Sequence, residues 1–180
     1  MLPTLLALSV LLRTVSADLM WDEAIDGDLS GDRHNPTQLF SKGENNHVIF
    51  TTAASVAGSN DREIFTFEGD AGFHLTTIIL NEFQTDPPTN LGFLGIARGT
   101  TLPTDPETAD PTTLLGYVLV GESDVGDDIM PAMGNGGGAE GFAGSLGPGH
   151  YTFWAQESGP SADNWDLNFI IEEMLTLAPT

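Results

Sequence analysis

Short runs rich in β-branched and aromatic residues follow one another along most of this chain, each bounded by turn-forming residues. They are His47–Val56, Glu63–Glu68, Phe73–Phe83, Gly92–Arg98, Leu114–Val120, His150–Gln156 and Trp165–Ile171. Clusters of Gly, Asn, Asp and Pro lie between them, the pattern of an all-β, antiparallel sandwich. Within Ile64-Phe65-Thr66-Phe67, the period of two puts Phe65 and Phe67 on one face and Ile64 and Thr66 on the other. Tyr151-Thr152-Phe153-Trp154 alternates in the same way but carries bulk on both faces, which predicts a central strand packed on two sides.

Helix is scarce, because no stretch sustains an i, i+3, i+4, i+7 apolar pattern beyond about two turns. Thr100–Thr113 contains Pro103, Pro106 and Pro111 and is predicted to be loop. The glycine-rich stretch Gly134–Ala139 is predicted to be a flexible loop. Before the first run, residues 18–42 are polar, rich in Asp, Gly, Asn and Pro, and without clear periodicity. They read as an acidic segment that wraps the domain without entering its core. No internal repeat is visible, and residues 43–180 read as one sandwich domain.

Residues 1–17 read as a signal peptide. Leu5–Leu12 is an apolar run and Val15-Ser16-Ala17 is a small-residue cleavage site, which leaves Asp18 as the mature start. The run is about half of what a membrane span requires, so no membrane span is expected. The 180 residues include no cysteine, so no disulfide framework stabilises the fold. Core packing, bound ions or both must do so. Five basic against 26 acidic side chains give a net charge of −21, which argues against nucleic acid and anionic lipid as partners and favours a monomer.

The densest chemical signal is Asp26-Gly27-Asp28-Leu29-Ser30-Gly31-Asp32. Ca²⁺ takes about six to eight hard oxygen ligands in a flexible shell, and Asp26, Asp28, Ser30 and Asp32 offer several from one turn. The run is not an EF-hand: Arg33 stands at the eighth loop position and Thr37 at the twelfth, and no helices flank it. A site shared with distant residues is one reading; a solvated turn is the other. Asn60 and Asp61 could bring oxygens to the same ion, unless Arg62 pairs with Asp61 or Glu63 instead. Glu122–Asp128 is a weaker acidic candidate.

His34, His47, His74 and His150 are isolated in sequence, which makes a zinc site improbable. No G-x-S-x-G motif is present; Gly141-Phe142-Ala143-Gly144-Ser145 has the wrong spacing. No catalytic residue is therefore expected, although carboxylate pairs leave a small hydrolase open. Trp21, Trp154, Trp165, Tyr117 and Tyr151 are either core or a sugar-stacking platform, with Trp21 the one expected to be exposed.

Asn60-Asp61-Arg62-Glu63-Ile64-Phe65-Thr66-Phe67 followed by Ala71-Gly72-Phe73-His74-Leu75 resembles the D-x-x-x-F-x-F … A-G-x-x-L core of bacterial pre-peptidase C-terminal-type domains. Leu146-Gly147-Pro148-Gly149-His150-Tyr151-Thr152-Phe153 resembles their later L-x-x-G-x-Y-x-F strand. The order from Asp22–Ser30 to Trp165–Phe169 is also similar to secreted bacterial proteins with a PEP-CTERM sorting signal. This resemblance implies an exported, jelly-roll-like β-sandwich of about seven to nine strands without catalytic residues. Collagen-binding relatives of that fold hold Ca²⁺ between an acidic N-terminal segment and the sandwich. The matching positions here are Asp26, Asp28, Asp32, Asn60 and Asp61. The sequence lacks the Pro-Glu-Pro motif, apolar helix and basic tail of a sorting signal, so free secretion, or residence in the periplasm or matrix, is expected. The function expected from these features is a structural or adhesive module, with polysaccharide or protein of the extracellular matrix as partner. A carbohydrate-binding module is the alternative.

Overall fold

The computed structural model describes residues 18–41, 43–54, 60–69 and 72–173. The signal-like segment 1–17, Val56 at the end of the first expected run, Ala71 and the chain beyond Glu173 lie outside the described residues. The elements in chain order are β1 (Asp18–Asp22), α1 (Glu23–Asp26), β2 (Thr37–Phe40), β3 (Asn45–Ala53), β4 (Glu63–Gly69) and β5 (Phe73–Thr85). They continue with β6 (Gly92–Arg98), β7 (Gly116–Val120), α2 (Met130–Gly134), β8 (Gly149–Glu157) and β9 (Ala162–Glu173). Two sheets of order β1-β3-β9-β5 and β2-β4-β8-β6-β7 pack face to face as a sandwich.

Each of the seven expected runs contains a strand among the described residues. The acidic segment differs from its expectation, because it contributes a strand to each sheet. β1 pairs in parallel with β3 and β2 in parallel with β4, so both sheets are mixed, with an antiparallel interior and one parallel edge. The apolar positions of this segment are sparse, but they suffice: Met20, Leu29 and Leu39 are buried. The segment therefore zips along the edge of one sheet, crosses the open side of the sandwich and zips along the other.

Alternation along the strands builds the core. Phe65 and Phe67 of β4, Tyr151, Phe153 and Ala155 of β8, and Trp165, Leu167 and Phe169 of β9 all turn inward. Phe65 stacks on Phe153 at 5.4 Å between ring centroids, and Phe153 meets Phe169 edge-on at 5.1 Å. The opposite faces of β4 and β8 carry Ile64 and Trp154, which pack with Leu102 and Leu114 in a second cluster. The proline-rich loop supplies those leucines, with Pro106 and Pro111 opening two single 3₁₀ turns. β8 lies between β4 and β6 and is covered on both faces, as its sequence predicts.

The glycine-rich stretch is packed, contrary to its composition. A Cβ at Gly136 would lie 2.7 Å from the Tyr117 carbonyl oxygen, and the Tyr117 hydroxyl donates to the Gly137 carbonyl at 2.9 Å. Close approach to β7 is what requires glycine there.

Candidate cation site

The crossing between β1 and β2 is tied down residue by residue. Asp22 caps α1, its carboxylate accepting from Ala24 N at 2.9 Å, and Gly27 ends the turn at φ 90°. Glu23, at the first position of α1, accepts from Thr51 N at 2.7 Å and from Leu29 N at 3.3 Å, which clamps the loop to β3. Further on, Ile64 N donates to Ser30 O at 2.8 Å, which lays the loop across the start of β4. From the other side, Asp61 N donates to Ala53 O at 2.9 Å.

These ties gather acids. Carboxylate oxygens of Glu23, Asp28 and Glu63 lie within 4.8 Å of one another, the one such group of His, Asp or Glu side chains among the described residues. Glu63 is 0 % exposed, and its oxygens meet no base or backbone donor, only the carboxylates of Glu23 and Asp61, to which a protonated Glu63 would hydrogen-bond. Period two explains its position: Phe65 and Phe67 face the core, so Glu63 faces it too. Burial pushes its pKa up to about 10, reinforced by the charges of Glu23, Asp61 and Asp28. Burial and the charge of Asp28 also raise Asp61 and Glu23.

Among the described residues no base relieves this crowding. Arg62 turns away, its guanidinium pairing with Glu107 and with Gln156 Oε1 at 3.1 Å. It meets neither Asp61 nor Glu63, the two partners that sequence offered it. Among the described residues, no Arg or His ion pair involves any of the four acids. Four carboxylates with one buried and unpartnered have two ways to reach neutrality, proton uptake or a cation. Their all-oxygen donor set suits a hard cation such as Ca²⁺.

Of the residues that sequence singled out, Asp28 joins the group and Asp61 stands beside it. Asp26, Ser30 and Asp32 close turns within the loop. Asp26 accepts from Asp22 N at 3.0 Å, Ser30 Oγ donates to Asn35 O at 2.8 Å, and Asp32 accepts from His34 N at 2.9 Å. Asn60 is exposed and lines a different cavity. Glu23 and Glu63 are the additions that sequence reasoning missed. The signal for Glu63 was its place in the Phe65, Phe67 row; Glu23 carries no signal, because tertiary folding alone brings it to Thr51.

The other candidates resolve into structure. Asp124 accepts from Gly121 N at 2.7 Å, and Asp128 accepts from Ile78 N and Met130 N. His47 meets Asp166 at 2.9 Å, His150 meets Glu68 at 3.7 Å and His74 meets Ser145 at 3.2 Å. Trp154, Trp165 and Tyr151 are core, and Tyr117 is half-buried. Trp21, expected to be exposed, is half-buried against the core with its indole N–H donating to Gly27 O at 3.0 Å. Among the described residues no helix is long and apolar enough to cross a membrane. Comparison with family models, curated proteins and solved structures finds no match.

Proposed function

We propose that this chain is a secreted, non-enzymatic β-sandwich module in which Ca²⁺ joins the N-terminal strap to the sandwich, with a structural or adhesive role in an extracellular matrix. One observation carries the reading: Glu63 is fully buried with no base or backbone donor to meet it, only the carboxylates of Glu23, Asp28 and Asp61. Glu63 and Asp61 would supply the sandwich side of the shell, and Glu23 and Asp28 the strap side. Main-chain oxygens and water would complete it, as the coordination number of Ca²⁺ requires. The signal-like residues 1–17 support export to a compartment where such modules bind Ca²⁺ at roughly 10⁻⁴–10⁻³ M. The resemblance to pre-peptidase C-terminal-type domains supports a non-enzymatic role.

A cation that binds only the folded state stabilises it by about 2.7 kcal/mol at a hundredfold excess over Kd. The melting temperature is therefore expected to rise with Ca²⁺ and fall with chelator. Identical melting curves under the two conditions overturn the cation reading.

A further inference from the structure

A second pair of acids is buried on the far side of Asp61, whose charge reaches both Glu63 and Glu157. Between β8 and β9 the chain passes from one sheet to the other through Ser158–Ser161. Tyr151, Phe153 and Ala155 of β8 face inward, and Glu157 continues their row. Leu167 and Trp165 of β9 do the same, and Asp163 continues theirs. The two carboxylates thus lie at one end of the sandwich, 3 % and 1 % exposed; burial and the charge of Asp163 raise Glu157, against the opposing charge of Arg62.

Both oxygens of Asp163 and Oε2 of Glu157 have no hydrogen-bond partner. Two neutral hydroxyls beside them are in the same condition. Thr85 is in register with Asp163 across β5 and β9, Ser161 lies two residues before it, and Thr85 Oγ1 and Ser161 Oγ are both buried and unpartnered. Four side chains more than nine-tenths buried therefore present free oxygen atoms in one neighbourhood. Among the described residues, neither acid forms an ion pair. A cavity of about 340 Å³, lined by Asn60, Gln156, Glu157 and Ser158 among others, leads to Glu157 from the surface.

The amide nitrogen of Asn90, beside Gly159, is a further buried and unpartnered group at this crossing. The four side-chain oxygens of Glu157, Asp163, Thr85 and Ser161 each offer a lone pair, a donor set that suits a hard cation. We propose that Glu157, Asp163, Thr85 and Ser161 form a second Ca²⁺ site at the sheet-to-sheet crossing, separate from the strap site. Asn60, which sequence grouped with the acidic loop, lines the way into this second site.

Native mass spectrometry and calorimetric titration of the full chain with Ca²⁺ alone count the sites. Two equivalents are expected for the wild type. Asp163→Asn and Glu157→Gln, both close to isosteric, are each expected to lose one equivalent and keep the other. Glu63→Gln is expected to lose the complementary one, so failure at the strap does not pass for failure here. Retention of every wild-type equivalent in folded Asp163→Asn and Glu157→Gln overturns the second site. Should those variants not fold, a single equivalent on the wild type that Glu63→Gln abolishes overturns it equally.

Discussion

Glu63 concentrates the chemistry of this protein in one side chain. A carboxylate on the core face of a strand has to be neutral or neutralised, since an unpaired charge in a low-dielectric interior is costly. Without a cation the proton does that work, which is the meaning of a pKa pushed up to about 10. Glu63→Gln removes the charge while keeping the shape. Above neutral pH, the metal-free variant is expected to melt at a higher temperature than the metal-free wild type, because it has no proton to take up. It is also expected to lose most of the Ca²⁺-dependent rise. Differential scanning fluorimetry with chelator and with Ca²⁺ reads both effects; a variant that keeps the full Ca²⁺ response removes Glu63 from the ligand set.

At the scale of elements, close contact between β6 and the opposite sheet fixes how tightly this end of the sandwich closes. Phe83 of β5 and Trp165 of β9 meet edge-on at 4.7 Å and 74°, and their rings press against β6 at Gly92. A Cβ there would lie 2.2 Å from Trp165 Cζ2 and 2.6 Å from Phe83 Cε2. Gly92 is held in register with Val120 on one side and Glu157 on the other, so its backbone has little room to retreat. Gly92→Ala is expected to cost about 1–3 kcal/mol, the usual range for overpacking a filled core. A urea titration should report a lower midpoint at unchanged slope. An unshifted midpoint would show that the ring pair can slide.

For the whole molecule, the consequence is an unusual dependence of stability on pH. Glu63 holds in the folded state a proton that the unfolded chain releases near its ordinary value of 4.5. Glu23, Asp61 and Glu157 are displaced in the same direction, each chiefly by burial. The stability linked to Glu63 is fully present below pH 4.5 and is lost progressively as pH rises through its folded value near 10. One such proton contributes a slope of about 1.4 kcal/mol per pH unit within that window. Metal-free protein should therefore be less stable to denaturant at about pH 8 than at about pH 5, and Ca²⁺ should narrow or reverse that difference. Ca²⁺ requires the deprotonated ligands, so its effect should grow with pH. Metal-free stability that rises between those two pH values contradicts the proposed protonation.

Much of the architecture was legible beforehand, because a strand depends on nearest neighbours along the chain. The alternation of Phe65 with Ile64 and of Phe153 with Trp154 sorts side chains to faces, and turn residues mark where each run stops. The three prolines between Thr100 and Thr113 exclude a strand or a long helix by the same local logic and leave only two single 3₁₀ turns. What sequence could not supply is everything that depends on which strand lies beside which. Asp18–Asp22 and Thr37–Phe40 lack strand periodicity because they are parallel edges, held by one neighbour each and buried at single positions such as Met20 and Leu39. The acidic loop shows the same division. Sequence identified its oxygens, but Asp26, Ser30 and Asp32 are consumed in local turns, and Asp28 alone of the loop's predicted ligands reaches the cluster. Glu23 and Glu63 join it from 40 positions apart in sequence; Glu157 and Asp163, a different pair, come from strands in opposite sheets. Sequence by itself determined a β-sandwich with many carboxylates. Tertiary structure decided which of them are buried without a partner, because burial and proximity are set by the packing of the two sheets.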